Sequence, residues 1–197
     1  MQWKLKRWMM LFLCAVMASC VGIGDLSQEN YRRGALYIRS LSQEKMAVLP
    51  MTGQGKGRLY LKQAEEAFLK VLPEMRPKTP LLLPATYMQE ETTAAVVRHF
   101  TQENRFKSVI HETDLTGLKA VLNTRYLLQT ELQQVEFVEG ATHVRIEGRL
   151  WDLESGDILW EGTGESRGYI VLFFPTVPAN FEKVLDVASR GLIQHLP

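Results

Sequence analysis

Cysteine is almost absent from this sequence: Cys14 and Cys20 both lie within the first 20 of its 197 residues. From residue 21 onward no disulfide can form and no thiol can act as a nucleophile. An excess of charge of one sign is missing too, since 23 Lys and Arg stand against 22 Asp and Glu. Nucleic-acid binding demands a basic stripe, which the chain does not carry after residue 20. We therefore expect no nucleic-acid partner.

A long hydrophobic run is also missing, because the apolar stretch Trp8–Ala18 is shorter than the 20 or so residues that a spanning helix needs. Three basic residues precede this stretch, and it ends at Met17-Ala18-Ser19-Cys20. A basic start, a short apolar run and small residues before a cysteine are typical of a bacterial lipoprotein signal. Residues 1–19 are thus predicted to be a cleaved signal peptide. An uncleaved signal anchor is the alternative.

Cys20 is then the predicted site of lipid attachment, and its acyl chains hold the protein on a membrane. Val21 follows in place of the Asp that would resemble an inner-membrane retention signal. The predicted location is therefore the outer membrane, with the domain in the periplasm. Cleavage removes three basic and no acidic residues, so the formal net charge falls from +1 to −2.

The rest of the chain divides into a short tether over residues 20–44, which we expect to be partly helical, and one domain over residues 45–197. In the first half of that domain, short apolar runs alternate with segments of helical period, which predicts strands followed by helices. The predicted strands and helices are Met46–Leu49, a helix from Leu61 stopped by Pro73, Leu81–Leu83, a helix through Thr93 and Phe100, a strand around Phe106–Ile110, and a helix capped by Asp114.

The second half reads as antiparallel hairpins closed by a helix. Arg125–Phe137 and Thr142–Leu153 are separated by a turn, and Ile158–Thr163 follows a second turn. In Thr142–Leu153 the apolar and charged residues alternate, so one face should pack and the other should be wet. The last helix should begin near Asn180 and cover the sheet. The fold class is therefore α/β (α+β), a single mixed sheet with an antiparallel hairpin half and helices packed on it.

Two segments could carry function. The loop Gly53–Gly57 lies between a strand and a helix, where glycines can present backbone N–H groups to a phosphate. Its spacing fits neither a phosphate loop nor a dinucleotide fingerprint, so a tight surface loop is the favoured interpretation. The apolar segment Tyr169–Pro175 is interpreted as an edge strand and connection under the last helix. The alternative is a loop that enters a membrane surface or receives a partner.

The side chains show no catalytic or metal-binding pattern. The four histidines are far apart and lack the paired spacing of metal ligands. We expect no catalytic residues, no metal, no cofactor and no enzyme activity.

Three stretches resemble a known family: Met46–Pro50, Leu118–Leu128 and Val144–Trp160, the last containing Asp-Leu-Glu-Ser-Gly-Asp-Ile-Leu-Trp. They resemble the CsgG-like (curli-secretion lipoprotein) and LpoB-like (penicillin-binding-protein activator) superfamily of envelope lipoproteins. The resemblance implies a mixed α/β periplasmic domain and a role in binding or assembly. Polar residues spread through Arg125–Phe137 do not suit a lipid-facing pore strand, and the tether is shorter than the spacer of such activators.

Together these observations predict a non-enzymatic accessory or assembly factor that binds another envelope protein. A subunit of an oligomeric secretion channel or its periplasmic collar is the alternative, and homo-oligomerisation stays open. A ligand-binding or enzymatic domain that uses the loop Gly53–Gly57 is a third hypothesis.

Overall fold

The computed structural model describes residues 21–34, 44–103, 112–171 and 176–197. Within these ranges nine strands form one mixed sheet, with helices packed on it, as the sequence predicts. The strands are β1 (Val21–Asp25), β2 (Gln28–Arg32), β3 (Met46–Val48), β4 (Thr52–Gly53), β5 (Leu81–Leu82), β6 (Tyr126–Val138), β7 (Ala141–Asp152), β8 (Asp157–Ile170) and β9 (Val177–Pro178). The helices are α1 (Leu61–Met75), α2 (Pro84–Tyr87), α3 (Glu91–Glu103), α4 (Glu112–Leu122) and α5 (Phe181–His195), and a 3-10 helix spans Gly55–Tyr60.

The main path of the sheet runs β1-β8-β7-β6-β3-β5, with β2 and β9 also on β8 and β4 on β6. The strands β6, β7 and β8 are long and antiparallel. Glu139 and Gly140 turn β6 into β7 with φ of 53° and 69°, the positive values that a two-residue turn needs to match the twist of its strands. In β7 Val144, Ile146 and Leu150 are buried, while the alternate residues Arg145, Glu147 and Arg149 stay partly exposed. This confirms the predicted alternation.

The parallel half of the sheet is covered on both faces. β3 lies between β5 and β6, parallel to both, and all three of its residues are buried. On one face α1 and α5 pack against the sheet through side chains such as Phe68, Leu185 and Leu192. On the other face α3 and α4 contribute Phe100 and Leu118 to a second apolar cluster. A strand buried on both faces is necessarily a continuous apolar run.

The second face of the antiparallel half has no such cover from the described helices. The cluster that α2, α3 and α4 build reaches the sheet at Ala47, Leu49, Leu127 and Trp151, near the parallel strands. Among the described helices only α5 contacts β7 and β8 extensively, and it lies on the opposite face. The second face of β7 and β8 is therefore partly exposed between residues 143 and 149 and between residues 161 and 167, although Thr163 within it is buried.

The prediction of a partly helical tether is wrong for the residues after position 20 that the structure describes. β1 pairs antiparallel with β8 from Val21 opposite Ile170 to Asp25 opposite Ser166. β2 continues along β8 from Gln28 opposite Thr163. An unpaired edge of β8 would leave a row of backbone N–H and C=O groups open, and the N-terminal segment covers it. Residues 35–43 lie outside the described residues.

Other element boundaries differ from the predictions in smaller ways. α1 continues two residues past Pro73, and the Arg76 N–H closes its last turn by donating to the Leu72 carbonyl at 2.9 Å. α4 begins at Glu112, so Asp114 lies inside the helix and does not cap it. β8 extends to Ile170, well past Thr163. The strand predicted around Phe106–Ile110 falls outside the described residues.

α5 follows its prediction closely. The Asn180 side chain accepts a hydrogen bond from the Glu182 N–H at 2.8 Å, which is a standard N-terminal cap. Val184, Leu185 and Leu192 are buried against the sheet. The row of glycines beneath the helix lets it approach closely, since an added Cβ on Gly164 would lie 2.1 Å from the Ala188 carbonyl oxygen.

Candidate functional site: the polar face of the hairpin sheet

The partly exposed second face of β7 and β8 carries charged side chains in register, and we call it the polar face. Its members on the two strands are His143, Arg145, Glu147, Arg149, Glu161, Thr163, Glu165 and Arg167. They share one side because alternate residues of a strand point the same way. Asn30 of β2 extends the polar face beyond β8, where its Nδ2 donates to Thr163 Oγ1 at 2.7 Å.

Glutamate side chains on the polar face contact arginine or histidine side chains. Arg149 Nε lies 2.5 Å from Glu161 Oε1, and His143 Nε2 lies 2.8 Å from Glu165 Oε1. Arg145 lies 3.2 Å from Glu147 on the same strand. Such cross-strand and neighbouring pairs contribute roughly 0.2–1 kcal/mol each. The result is a flat polar surface with little net charge.

The polar face runs inward to a buried carboxylate. Glu131 of β6 is fully buried, and Gln54 Nε2 donates to both of its oxygens at 3.2 Å. Gln133 Nε2 bridges Glu131 at 2.6 Å and Glu147 at 3.2 Å. Gln129 is also fully buried and accepts a hydrogen bond from Trp151 Nε1 at 3.2 Å. Neither burial could be read from the sequence, in which both residues look like part of a solvated strand.

These contacts explain the loop Gly53–Gly57. The Gln54 N–H donates to the Leu132 carbonyl at 3.1 Å, and the Gly57 N–H donates to the Gln54 carbonyl at 2.8 Å. Gly55 takes a positive φ of 48°, and Gly57 lies so close to β6 that a Cβ would come 2.9 Å from the Leu132 oxygen. The 3-10 helix then runs directly into α1. These contacts favour the interpretation as a tight loop that holds Gln54 on Glu131.

A cleft of about 410 Å³ opens beside this loop, between β4 and the helices α2 and α3. Its lining includes Arg58, Leu61, Met88 and Arg98. Nearby, Glu65 accepts a hydrogen bond from the Met51 N–H at 3.1 Å. Burial raises the pKa of Glu65. The cleft lies where the parallel strand β3 ends, a usual position for ligand sites in α/β sheets.

Glu65 makes the stability of the protein dependent on pH. Because the pKa of Glu65 is raised in the folded protein, its ionisation opposes folding, and stability is lost as pH rises from its ordinary value through the raised one. Glu65→Gln keeps an oxygen for the Met51 N–H and removes the charge. We expect a small increase in the free energy of unfolding at pH 7 and none at pH 4, measured by urea denaturation. An equal effect at both pH values would contradict this.

Two sites predicted from the sequence lie at or beyond the limits of the described residues. Cys20 lies outside the described residues, and Val21 directly after it begins β1. Tyr169 and Ile170 end β8, whereas Leu172–Pro175 lie outside the described residues. Within the described ranges no group of three His, Cys, Asp or Glu side chains is arranged to hold a metal ion. Among those same residues no helix is long and apolar enough to cross a membrane.

No family model matches the sequence, and no curated protein does. Several solved structures do match this chain. PelC from Paraburkholderia phytofirmans, a dodecamer, superimposes with a TM-score of 0.51 at 14% identity over 87% of this chain and 99% of its own. Lipoprotein GNA1162 from Neisseria meningitidis gives a TM-score of 0.40 at 15% identity, covering 64% of this chain and 83% of its own. The LpoB C-terminal domain from Escherichia coli gives 0.39 at 16% identity, covering 62% and 81%.

At such low identity, the first of these likenesses shows a shared fold and no more. The superpositions on lipoprotein GNA1162 and the LpoB domain have TM-scores below 0.5, which do not show a shared fold. Membership of the CsgG-like group stays a prediction. The chain therefore has the mixed α/β fold that PelC also has.

Proposed function

We propose that this chain is an outer-membrane lipoprotein that acts without enzymatic activity, as a periplasmic accessory or assembly factor that binds another envelope protein. One observation carries the proposal. β1 begins at Val21, next to the predicted lipid on Cys20, and pairs with β8 as far as Asp25. A lipid on Cys20 would thus hold the sheet itself at the membrane surface, with no spacer between anchor and domain.

The polar face is the proposed binding surface. Its arginine, glutamate and histidine side chains are between 15% and 49% exposed, and its three arginines are balanced by three glutamates. Protein interfaces gain specificity from such charge patterns more than affinity. A partner that meets this face must offer polar groups at the level of the membrane, because the short anchor gives the domain little reach.

A ring of identical subunits is a second candidate, and it includes a secretion channel or its periplasmic collar. The observation in its favour is that the PelC structure with the shared fold is a dodecamer. In that case the polar face or an edge of the sheet would bind a second copy of the chain.

In-cell crosslinking of the full chain distinguishes the two candidates. We expect mild-detergent extraction after crosslinking to yield one copy of the chain joined to a different envelope protein. A closed ring of identical subunits would support the second candidate, and an uncrosslinked monomer would contradict both. The Cys20→Ala variant should leave the membrane fraction.

Charge reversal then tests the polar face. Arg145→Glu should abolish the crosslink, because the new carboxylate lies beside Glu147 and Glu165 and gives three acidic groups side by side. Arg98→Glu on the exposed side of α3 is the matched control and should leave the crosslink intact. An intact crosslink in both variants would place the interface elsewhere.

A further inference from the structure

Exposed apolar side chains gather at one end of the sheet. Nine large apolar residues are exposed in the described parts of the chain, and six of them lie at this end. We call these six the apolar rim: Val21, Phe137, Val138, Tyr169, Val171 and Val177, between 39% and 53% exposed. The other three are Leu26, Tyr31 and Leu59; Leu59 precedes Tyr60, whose ring lies 5.8 Å from that of Phe137. An exposed patch of this kind marks an interaction surface.

Strand register places the members of the apolar rim beside one another. Val21 of β1 and Val177 of β9 both pair with Ile170 at the end of β8. One step back, Tyr169 pairs with Gly22 and with Pro178. The two strands approach β8 from opposite sides, so the last row of the sheet is apolar across three strands.

The turn between β6 and β7 completes this end. Val138 and Phe137 come immediately before the turn. Gly140 in the turn lies against the residue before β9, since an added Cβ would be 2.4 Å from the Thr176 carbonyl oxygen. The charges at the turn are Glu139 and its partner Arg167, 2.9 Å apart. The strand ends therefore present apolar groups and one neutralised ion pair.

Val21 is the residue after Cys20, and consecutive Cα atoms are about 3.8 Å apart. We propose that the apolar rim enters the interfacial layer of the lipid bilayer next to the acyl chains on Cys20. The inference rests on the lipid anchor of the proposed function. Tyr169 suits this depth, because an aromatic ring with a polar tip favours the membrane interface. The covalent lipid confines the rim to the surface, so even modest apolar contact is enough to keep it inserted.

Docking of the apolar rim fixes the orientation of the domain. The strands β7 and β8 then rise from the bilayer, and the turn at Glu154–Asp157 lies at the far end. Tyr31 of β2 pairs with Glu161, nine residues along β8 from Ile170, which is about 30 Å at the rise of a strand. The polar face stands upright and open to a partner in the same membrane.

Tryptophan quenching in vesicles tests the docking. The two tryptophans after residue 20, Trp151 and Trp160, are buried, so they report little on lipid contact. The lipidated full chain carrying Tyr169→Trp is reconstituted in phosphatidylcholine vesicles, with or without brominated acyl chains. We expect Tyr169→Trp to lose most of its added fluorescence in brominated vesicles. The matched control Tyr31→Trp should keep its signal.

A second probe, Val138→Trp, guards against misfolding of the first and should also be quenched. Flotation of each sample with its vesicles is measured in parallel. A chain that floats but shows equal quenching at positions 31, 138 and 169 contradicts the docking while leaving the anchor intact. A chain that does not float contradicts the anchor and the docking together. Because the rim carries little net charge, 0.5 M salt should not weaken the quenching.

Discussion

Replacing Gly164 with alanine is expected to lower the free energy of unfolding by about 3 kcal/mol, at the upper end of the usual cost of overpacking. Gly164 lies in β8 directly beneath α5. An added Cβ would come 2.1 Å from the Ala188 carbonyl oxygen and 2.7 Å from the Leu192 Cβ. Both atoms are fixed to the backbone of α5 and cannot rotate away, so α5 must lift from the sheet. Chemical denaturation measures the loss.

Gly24→Ala is the matched control. Gly24 is also a strand glycine, on β1, but an added Cβ would meet nothing within 4 Å. This variant should be unchanged or more stable by up to about 1 kcal/mol, because alanine restricts the unfolded chain. Equal destabilisation by both variants would mean that contact with α5 does not set the cost.

Replacing Arg125 with methionine is expected to destabilise the protein by about 2–4 kcal/mol, since it leaves a buried carboxylate without its ion-pair partner. The Asp152 side chain is 1% exposed. Arg125 donates to it from Nε at 3.2 Å and from Nη2 at 2.9 Å. These hydrogen bonds raise the pKa of Arg125. Without them Asp152 keeps the hydrogen bond from the Glu154 N–H at 2.9 Å, which compensates only in part.

Arg190→Met provides the comparison, because Arg190 is likewise an arginine that pairs with carboxylates. It lies 2.9 Å from Asp186 and 3.1 Å from Glu74, but all three side chains are between 44% and 49% exposed. Exposed pairs of this kind contribute less than about 1 kcal/mol. Denaturation midpoints should therefore separate the two variants clearly. If Arg125→Met cost no more than Arg190→Met, burial of Asp152 would not be what gives the first pair its strength.

Strands and helices were predicted correctly from the sequence where a local pattern extended over many residues. Burial alternates along β7 from Thr142 to Leu150, and α5 has a capping Asn180 followed by a continuous apolar stripe. The ends of these elements were predicted less well where the pattern was short or ambiguous. Asp114 has the chemistry of a cap, yet α4 begins two residues before it, at Glu112.

In the candidate site, too, local patterns identified some residues, and long-range contacts determined the rest. Alternation along β7 identifies the charged residues of the polar face, but it says nothing about their partners. Glu161, Thr163 and Glu165 join the face because β8 pairs with β7 in one particular register. The burial of Glu131 depends on Gln54, which lies 77 residues away in the chain. Contacts of that range leave no signal in local periodicity.

By itself the sequence determined the class of fold, the hairpin half of the sheet and the final helix, because alternation, turn residues and caps act over a few residues. It also motivates the prediction that Cys20 carries lipid. Only the tertiary structure decided that residues 21–34 belong to the sheet. The edge that they cover belongs to β8, more than 120 residues later, and its open hydrogen bonds exist only once β6, β7 and β8 have assembled. The same pairing gathers the scattered residues of the apolar rim next to the predicted anchor.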